Sequence, residues 1–183
     1  PGFLALIAQQ TGFDNVQLGY LAAWDINAMG VTIGLSTFAL SRVPWRIAVA
    51  TGLVLIAAGN LLTGVASSFP AMAAARVVAG AGEGIAVGFA FAALGRARNP
   101  DRAFSIYLVV GALFSTLFLY ALPEIQASLT PRTVFALIAA ASLCIILGLK
   151  ALPDGCRDEV DIFAIGDVLD RRVAFGSLVG VFL

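Results

Sequence analysis

Residues 71–95 read AMAAARVVAGAGEGIAVGFAFAALG, an apolar run that contains two ionisable residues, Arg76 and Glu83. Its length is close to the ~20 residues that an α-helix needs to cross the hydrocarbon core of a bilayer. A charged side chain at that depth costs at least about 2.5 kcal/mol, so it faces the interior of a helix bundle or a wet cavity. The run therefore predicts a membrane-spanning helix with two charges directed into the protein.

The chain as a whole has the composition of a membrane protein. Of its 183 residues, 60% are hydrophobic and 12% are charged, which is about half of the ~25% charged residues found in soluble domains. Mean hydropathy is +0.97. We therefore expect an all-α fold, a polytopic bundle of transmembrane helices, with complete spans at residues 18–40, 46–66, 71–95, 103–122 and 133–152.

The two ends of the sequence predict further, partial spans. Residues 1–9 have the character of the last part of an apolar helix, and residues 173–183 that of the beginning of another. Between them, we expect residues 1–152 to form the N-terminal bundle and residues 153–172 to form a polar central loop. The chain is thus expected to be a fragment of a longer protein.

Basic residues predict the orientation of the helices. Short connections make successive spans antiparallel neighbours, so alternate connections lie on the same side of the bilayer. The side that is richer in Lys and Arg is cytoplasmic, which predicts a multi-pass protein of a plasma membrane (the inner membrane in a bacterium). One side has Arg132 and a span contains Arg76, whereas the other side has nine basic residues: Arg42, Arg46, Arg96, Arg98, Arg102, Lys150, Arg157, Arg171 and Arg172.

Several classes of function are not supported by the residues. The formal net charge is zero, so the chain has no nucleic-acid-binding footprint. It has no histidine, and its two cysteines have no metal-ligand spacing. The glycines of GAGEG do not match the dinucleotide fingerprint, which requires a preceding strand and another spacing. We expect no enzyme activity, no cofactor and no metal site.

The charges inside the spans are the candidates for function. Residues seven apart on a helix point within about 20° of each other but lie ~10 Å apart along the axis. This places Arg76 and Glu83 on one stripe, too far apart for an easy direct contact, as along a water-accessible pathway. We predict that Glu83 is a protonatable coupling group and that Arg76 is its electrostatic partner or an anion-binding residue.

Asp25 lies at a depth comparable with that of Arg76. It is either a third member of the transport site or one half of a structural ion pair with Arg76. Asn27 is expected on a different side of the same helix, and Asn60 is expected to be a helix–helix contact.

The glycines of the same run predict close packing. Gly80, Gly84 and Gly88 are four residues apart, and such small-residue stripes let a neighbouring helix approach closely.

These residues also resemble a known pattern. The arrangement Arg76-x-x-x-Gly80-x-Gly82-x-Gly84 resembles the fourth-helix motif of the major facilitator superfamily. An Arg followed seven residues later by a Glu, in a Gly-Glu-Gly context, is similar to the spinster-like and organic-anion symporter branches. The resemblance implies that residues 1–9 end helix 1, that the five full spans are helices 2 to 6, and that helix 7 begins near Val173. It also implies roles for Arg76 and Glu83 in substrate and proton handling.

The connection after the first full span departs from the superfamily signature. In FALSRVPWR, residues 38–46, Arg42 and Arg46 match the signature, but Ser41 stands in place of its aspartate and Pro44 in place of its glycine. Residues 105–120 lack the glycine-proline motif of drug/proton antiporters, which argues against that subgroup.

The resemblance and the buried charges together predict a secondary active transporter of a small solute. It would work by alternating access, with transport coupled to protons. Its expected partners are the lipid bilayer and the C-terminal half of the same protein. The alternative is a sensor or assembly protein that transports nothing and keeps a degenerate facilitator fold. The sequence identifies neither the substrate nor the direction of transport.

Overall fold

The computed structural model describes residues 2–149, which form six α-helices and no strand. This part of the chain has the predicted all-α fold. The predicted central loop, the start of a seventh helix and residues 150–152 of the last predicted span lie outside the described residues. The helices are α1 (Gly2–Thr11), α2 (Asn15–Ala39), α3 (Trp45–Val65), α4 (Phe69–Gly95), α5 (Pro100–Ser128) and α6 (Pro131–Ile146).

Helix starts follow from local side chains. Asp14 accepts a hydrogen bond from the backbone N–H of Gln17, and the Gln17 side chain accepts one from the backbone N–H of Asp14, which forms a capping box at α2. Asn99 and Thr130 cap α5 and α6 without the reciprocal bond: their side-chain oxygens accept from the backbone N–H of Arg102 and Thr133, respectively. Proline in the first turn of α4, α5 and α6 removes an N–H that has no helical partner there.

Three of the helices, α3, α4 and α5, are long and apolar enough to cross a membrane. They indicate an integral membrane protein. Among residues 2–149, the helices at the other two predicted spans, α2 and α6, are not both long and apolar enough to cross a membrane. Helix α2 is long, but residues such as Asp25 and Asn27 lower its hydropathy, and α6 has 16 residues.

Helix α5 differs from the predicted span at residues 103–122. It continues through Pro123 to Ser128. A proline inside a helix removes one backbone hydrogen bond, and here the helix resumes beyond it, where the Ser128 hydroxyl donates to the Glu124 carbonyl.

Helix α4 lies at the centre of the bundle, packed against α2 and α3, and α3 also packs against α6. Glycines bring the backbones together. A Cβ on Gly59 of α3 would lie 2.5 Å from the Ala79 nitrogen of α4, and one on Gly82 of α4 would lie 2.5 Å from the Gly52 carbonyl oxygen of α3. No side chain fits at either position.

Two apolar clusters fill opposite ends of this bundle. One joins α1, α2, α4 and α6 through residues such as Leu21, Met72 and Phe135, and the other joins α3 and α4 through Trp45 and Phe89. Asp25 and Arg76 each come one helical turn after Leu21 and Met72, respectively. The buried charges therefore lie next to the first cluster and between the two.

Candidate functional site

A buried ion pair joins α2 to α4. The Nη2 atom of Arg76 lies 2.8 Å from Oδ1 of Asp25, and the side chains are 2% and 8% exposed, respectively. Gly80 makes the pair possible, because a Cβ there would collide with the Asp25 carbonyl oxygen and lie 3.0 Å from its Oδ1. The α2 backbone can therefore approach α4 one turn beyond Arg76, which brings the carboxylate to the guanidinium.

Helices α1 and α3 complete the surroundings of this guanidinium. Arg76 Nη1 donates to Oδ1 of Asn60 at 3.5 Å, while the Asn60 amide donates to the Ile56 carbonyl. The Phe3 ring of α1 lies with its centroid 4.4 Å from Arg76 Cζ, in cation–π geometry. The Nε atom of Arg76 is buried and has no hydrogen-bond partner among residues 2–149. The guanidinium on α4 is thus contacted from three other helices and is still not fully hydrogen-bonded.

Glu83 is the loosely held member of the group. Its Oε1 lies 3.7 Å from Arg76 Nη2, beyond hydrogen-bond distance, and its side chain is 37% exposed. Asp25 and Glu83 therefore approach the same nitrogen, but Asp25 holds it tightly and from a buried position. When all three groups are ionised, two carboxylates face one guanidinium, so the cluster has an excess negative charge.

This geometry corrects the expected separation of Arg76 and Glu83. Although their backbones lie ~10 Å apart along the axis, their side chains form an ion pair at 3.7 Å. Helical side chains tilt toward the N-terminus of the helix, so Glu83 leans back toward Arg76, and the long Arg76 side chain covers the remaining distance.

The structure brings Asp25, Arg76 and Glu83 together, as one predicted site would require. Asn27 lies elsewhere, as expected, because it is exposed and its amide donates to the Ala23 carbonyl. Asn60 makes the predicted helix–helix contact, and it does so by accepting a hydrogen bond from the Arg76 guanidinium. Its signal in the sequence is the adjacent Gly59, where α3 and α4 approach each other closely.

The remaining predicted residues lie away from the cluster. Gly84 and Gly88 face α2, where a Cβ would meet Thr32 and Ser36, respectively. Arg42 is exposed in the connection before α3, and Arg46 is in the first turn of α3. Arg46 is fourteen residues before Asn60, or about 21 Å along the helix axis.

Among the described residues, no group of His, Cys, Asp or Glu side chains is arranged to hold a metal ion. No protein-family model, no curated protein and no solved structure matches the chain.

Proposed function

We propose that this chain belongs to a secondary active transporter of the major facilitator type, in which Glu83 carries the coupling proton. The observation that carries the proposal is the shared guanidinium. Two carboxylates approach Arg76 Nη2, one buried and one partly exposed. The motif resemblance supports the assignment to that superfamily, and the apolar helices supply the membrane setting.

The chemistry follows from the charge balance of the cluster. An uncompensated charge inside a membrane protein is expensive, so an excess carboxylate favours the uptake of a proton. Asp25 is engaged by a 2.8 Å ion pair, whereas Glu83 has the longer contact and access to its surroundings. Glu83 is therefore the group from which a proton can leave and to which it can return. Arg76 holds the carboxylates at one place during this exchange.

Alternating access would use the exposed side of Glu83. In transporters of this kind, the coupling and substrate sites lie near the bilayer midplane between moving bundles. A change in the position of α4 relative to α2 would alter the distance from Arg76 to Asp25. The guanidinium charge that is left to Glu83 would change with it, and so would the affinity of Glu83 for a proton. Transport of a solute and movement of a proton would then be linked through one side chain.

The test is a comparison of Glu83→Gln with Glu124→Gln in the complete protein. Glu124 is exposed near the end of α5, so its substitution makes the same chemical change outside the cluster. Both variants and the wild type are reconstituted in vesicles that contain a pH-sensitive dye. Panels of organic anions, organic cations, sugars and neutral solutes are then added outside. We expect at least one class to move protons with the wild type and with Glu124→Gln.

Glu83→Gln is expected to abolish this proton movement. If solute entry still moves protons when residue 83 is glutamine, then Glu83 is not the coupling group. If no solute moves at all with the wild-type protein, the proposal of a transporter itself is contradicted.

A further inference from the structure

An apolar groove opens between α2 and α3 at the end of the bundle that contains Trp45 and Arg96. Its volume is about 300 Å³. Leu35 and Ile47 line it and are 59% and 60% exposed, respectively. On the side of α4, it is lined by Ile85 and the buried Phe89. The groove is distinct from the ion cluster, since none of the cluster residues lines it.

The groove has a direction. Its lining residues on α2 extend from Thr32, within the helix, to Ala39, the last residue of the helix, so the groove follows α2 for about 10 Å along the axis, at 1.5 Å per residue. Val43, in the connection that follows α2, also lines it. A linear apolar chain that enters at the level of residues 39–43 would run parallel to α2 toward the middle of the bilayer.

The mouth of the groove is basic. Arg42 precedes the lining residue Val43, and Arg46 precedes the lining residue Ile47. The Arg42 side chain is exposed and makes no hydrogen bond or ion pair with any of residues 2–149. The guanidinium of Arg96 stacks on the Trp45 ring at 4.5 Å, which places the connection after α4 at the same end. Among residues 2–149, the connections at this end are residues 40–44 and 96–99, which contain no acidic residue, and Asp101 follows in the first turn of α5.

From this juxtaposition, we infer that the groove is a binding site for an anionic phospholipid. One acyl chain lies between α2 and α3, and the phosphate is held at the mouth by Arg42, with Arg46 beside it. Guanidinium groups bind phosphate through paired N–H donors. Basic pockets between helices on the cytoplasmic side suit anionic headgroups, because that leaflet carries the negative lipids. The charge at the mouth selects the headgroup, and the apolar lining accepts the chain.

The inference is independent of transport, since it concerns residues that the coupling site does not use. It is tested with the full chain in nanodiscs of phosphatidylcholine, into which phosphatidylglycerol with the same acyl chains is titrated. Bound lipid is counted by native mass spectrometry after release from the disc. We expect the wild type to retain phosphatidylglycerol over phosphatidylcholine. Glycerol 1-phosphate, a headgroup without chains, should not bind measurably.

Two pairs of variants separate the site from general surface charge. Arg42→Gln should weaken retention of phosphatidylglycerol about fivefold, the value expected for one basic residue near a membrane surface. Arg98→Gln removes the same charge from an exposed position at the same end and should change retention less than twofold. Ala39→Phe, which narrows the mouth, should reduce retention, whereas Ala28→Phe, outside this groove, should not.

A spectroscopic measurement covers the case in which Ala39→Phe fails to fold. The chain has two tryptophans, so Trp24→Phe leaves Trp45, whose ring contacts Phe89 at 6.4 Å between centroids. Phosphatidylglycerol with brominated chains should quench Trp45 fluorescence more strongly than brominated phosphatidylcholine. Equal quenching by the two lipids, or equal losses for Arg42→Gln and Arg98→Gln, would overturn the inference. So would the absence of retained lipid in the wild type, which is the result expected if another helix covers the groove.

Discussion

Arg76 of α4 and Asp25 of α2 form an ion pair of 2.8 Å in which both side chains are almost completely buried. Such a pair costs desolvation free energy, and its attraction compensates for that cost only with good geometry. Substituting only one partner of the pair is therefore more damaging than substituting both, because it leaves the other charge buried and unpaired. This asymmetry distinguishes the pair from the looser contact with Glu83.

Asp25→Asn should strongly destabilise the protein. It leaves the Arg76 guanidinium buried with the weak 3.5 Å hydrogen bond to Asn60 and the longer contact to Glu83. Breaking one side of a buried pair costs about 3–5 kcal/mol. The midpoint of thermal unfolding in detergent should fall clearly. The double variant Asp25→Asn with Arg76→Gln should recover part of the loss, and strict additivity of the two single effects would contradict the pairing.

Gly84 should not tolerate a side chain. A Cβ there would collide with Thr32 Oγ1 and with the Met29 carbonyl oxygen, which as backbone cannot move aside. Gly84→Ala is expected to cost about 1–3 kcal/mol of the free energy of unfolding, as in other overpacked cores. Gly30→Ala is the matched control, because a Cβ at Gly30 of α2 has nothing within 4 Å. Equal unfolding midpoints for the two variants would show that α2 and α4 do not pack at Gly84.

Gln10 should stabilise the end of α3. Its amide nitrogen donates to the carbonyls of Thr63, Gly64 and Ala66 at 3.1–3.2 Å, groups that lack helical partners at a C-terminus. In Gln10→Leu, the Gly64 carbonyl keeps its hydrogen bond from Arg132, but the Thr63 and Ala66 carbonyls lose the bond from Gln10. We expect a loss of about 1–3 kcal/mol, the cost of unsatisfied buried groups. Gln9→Leu makes the same change at the exposed neighbouring residue and should leave the unfolding midpoint unchanged. The reverse order of the two midpoints would refute this role.

The sequence predicts the helical class and the residues of the cluster, because long apolar runs and isolated charges are local signals. The free-energy cost of a charge at membrane depth is enough to identify Arg76, Glu83 and Asp25 as candidates. The contacts between these residues could not be predicted from the sequence in the same way. The 3.7 Å approach of Glu83 depends on side-chain tilt, and the Asn60 contact depends on how closely Gly59 lets α3 approach α4. The Phe3 stack depends on the position of α1, which no spacing within one helix specifies.

Glu83→Gln should separate function from stability. The Glu83 side chain is 37% exposed, and its Oε1 lies 3.7 Å from Arg76 Nη2, which already forms the 2.8 Å ion pair with Asp25. A long contact from a partly exposed carboxylate contributes little, about 0–1 kcal/mol as in surface pairs. The unfolding midpoint of Glu83→Gln should therefore stay near that of the wild type, far above that of Asp25→Asn. Solute-driven proton movement should be lost in Glu83→Gln even though the protein is folded. A midpoint as low as that of Asp25→Asn would instead make Glu83 part of the structural ion pair, and any loss of transport would then reflect unfolding rather than coupling.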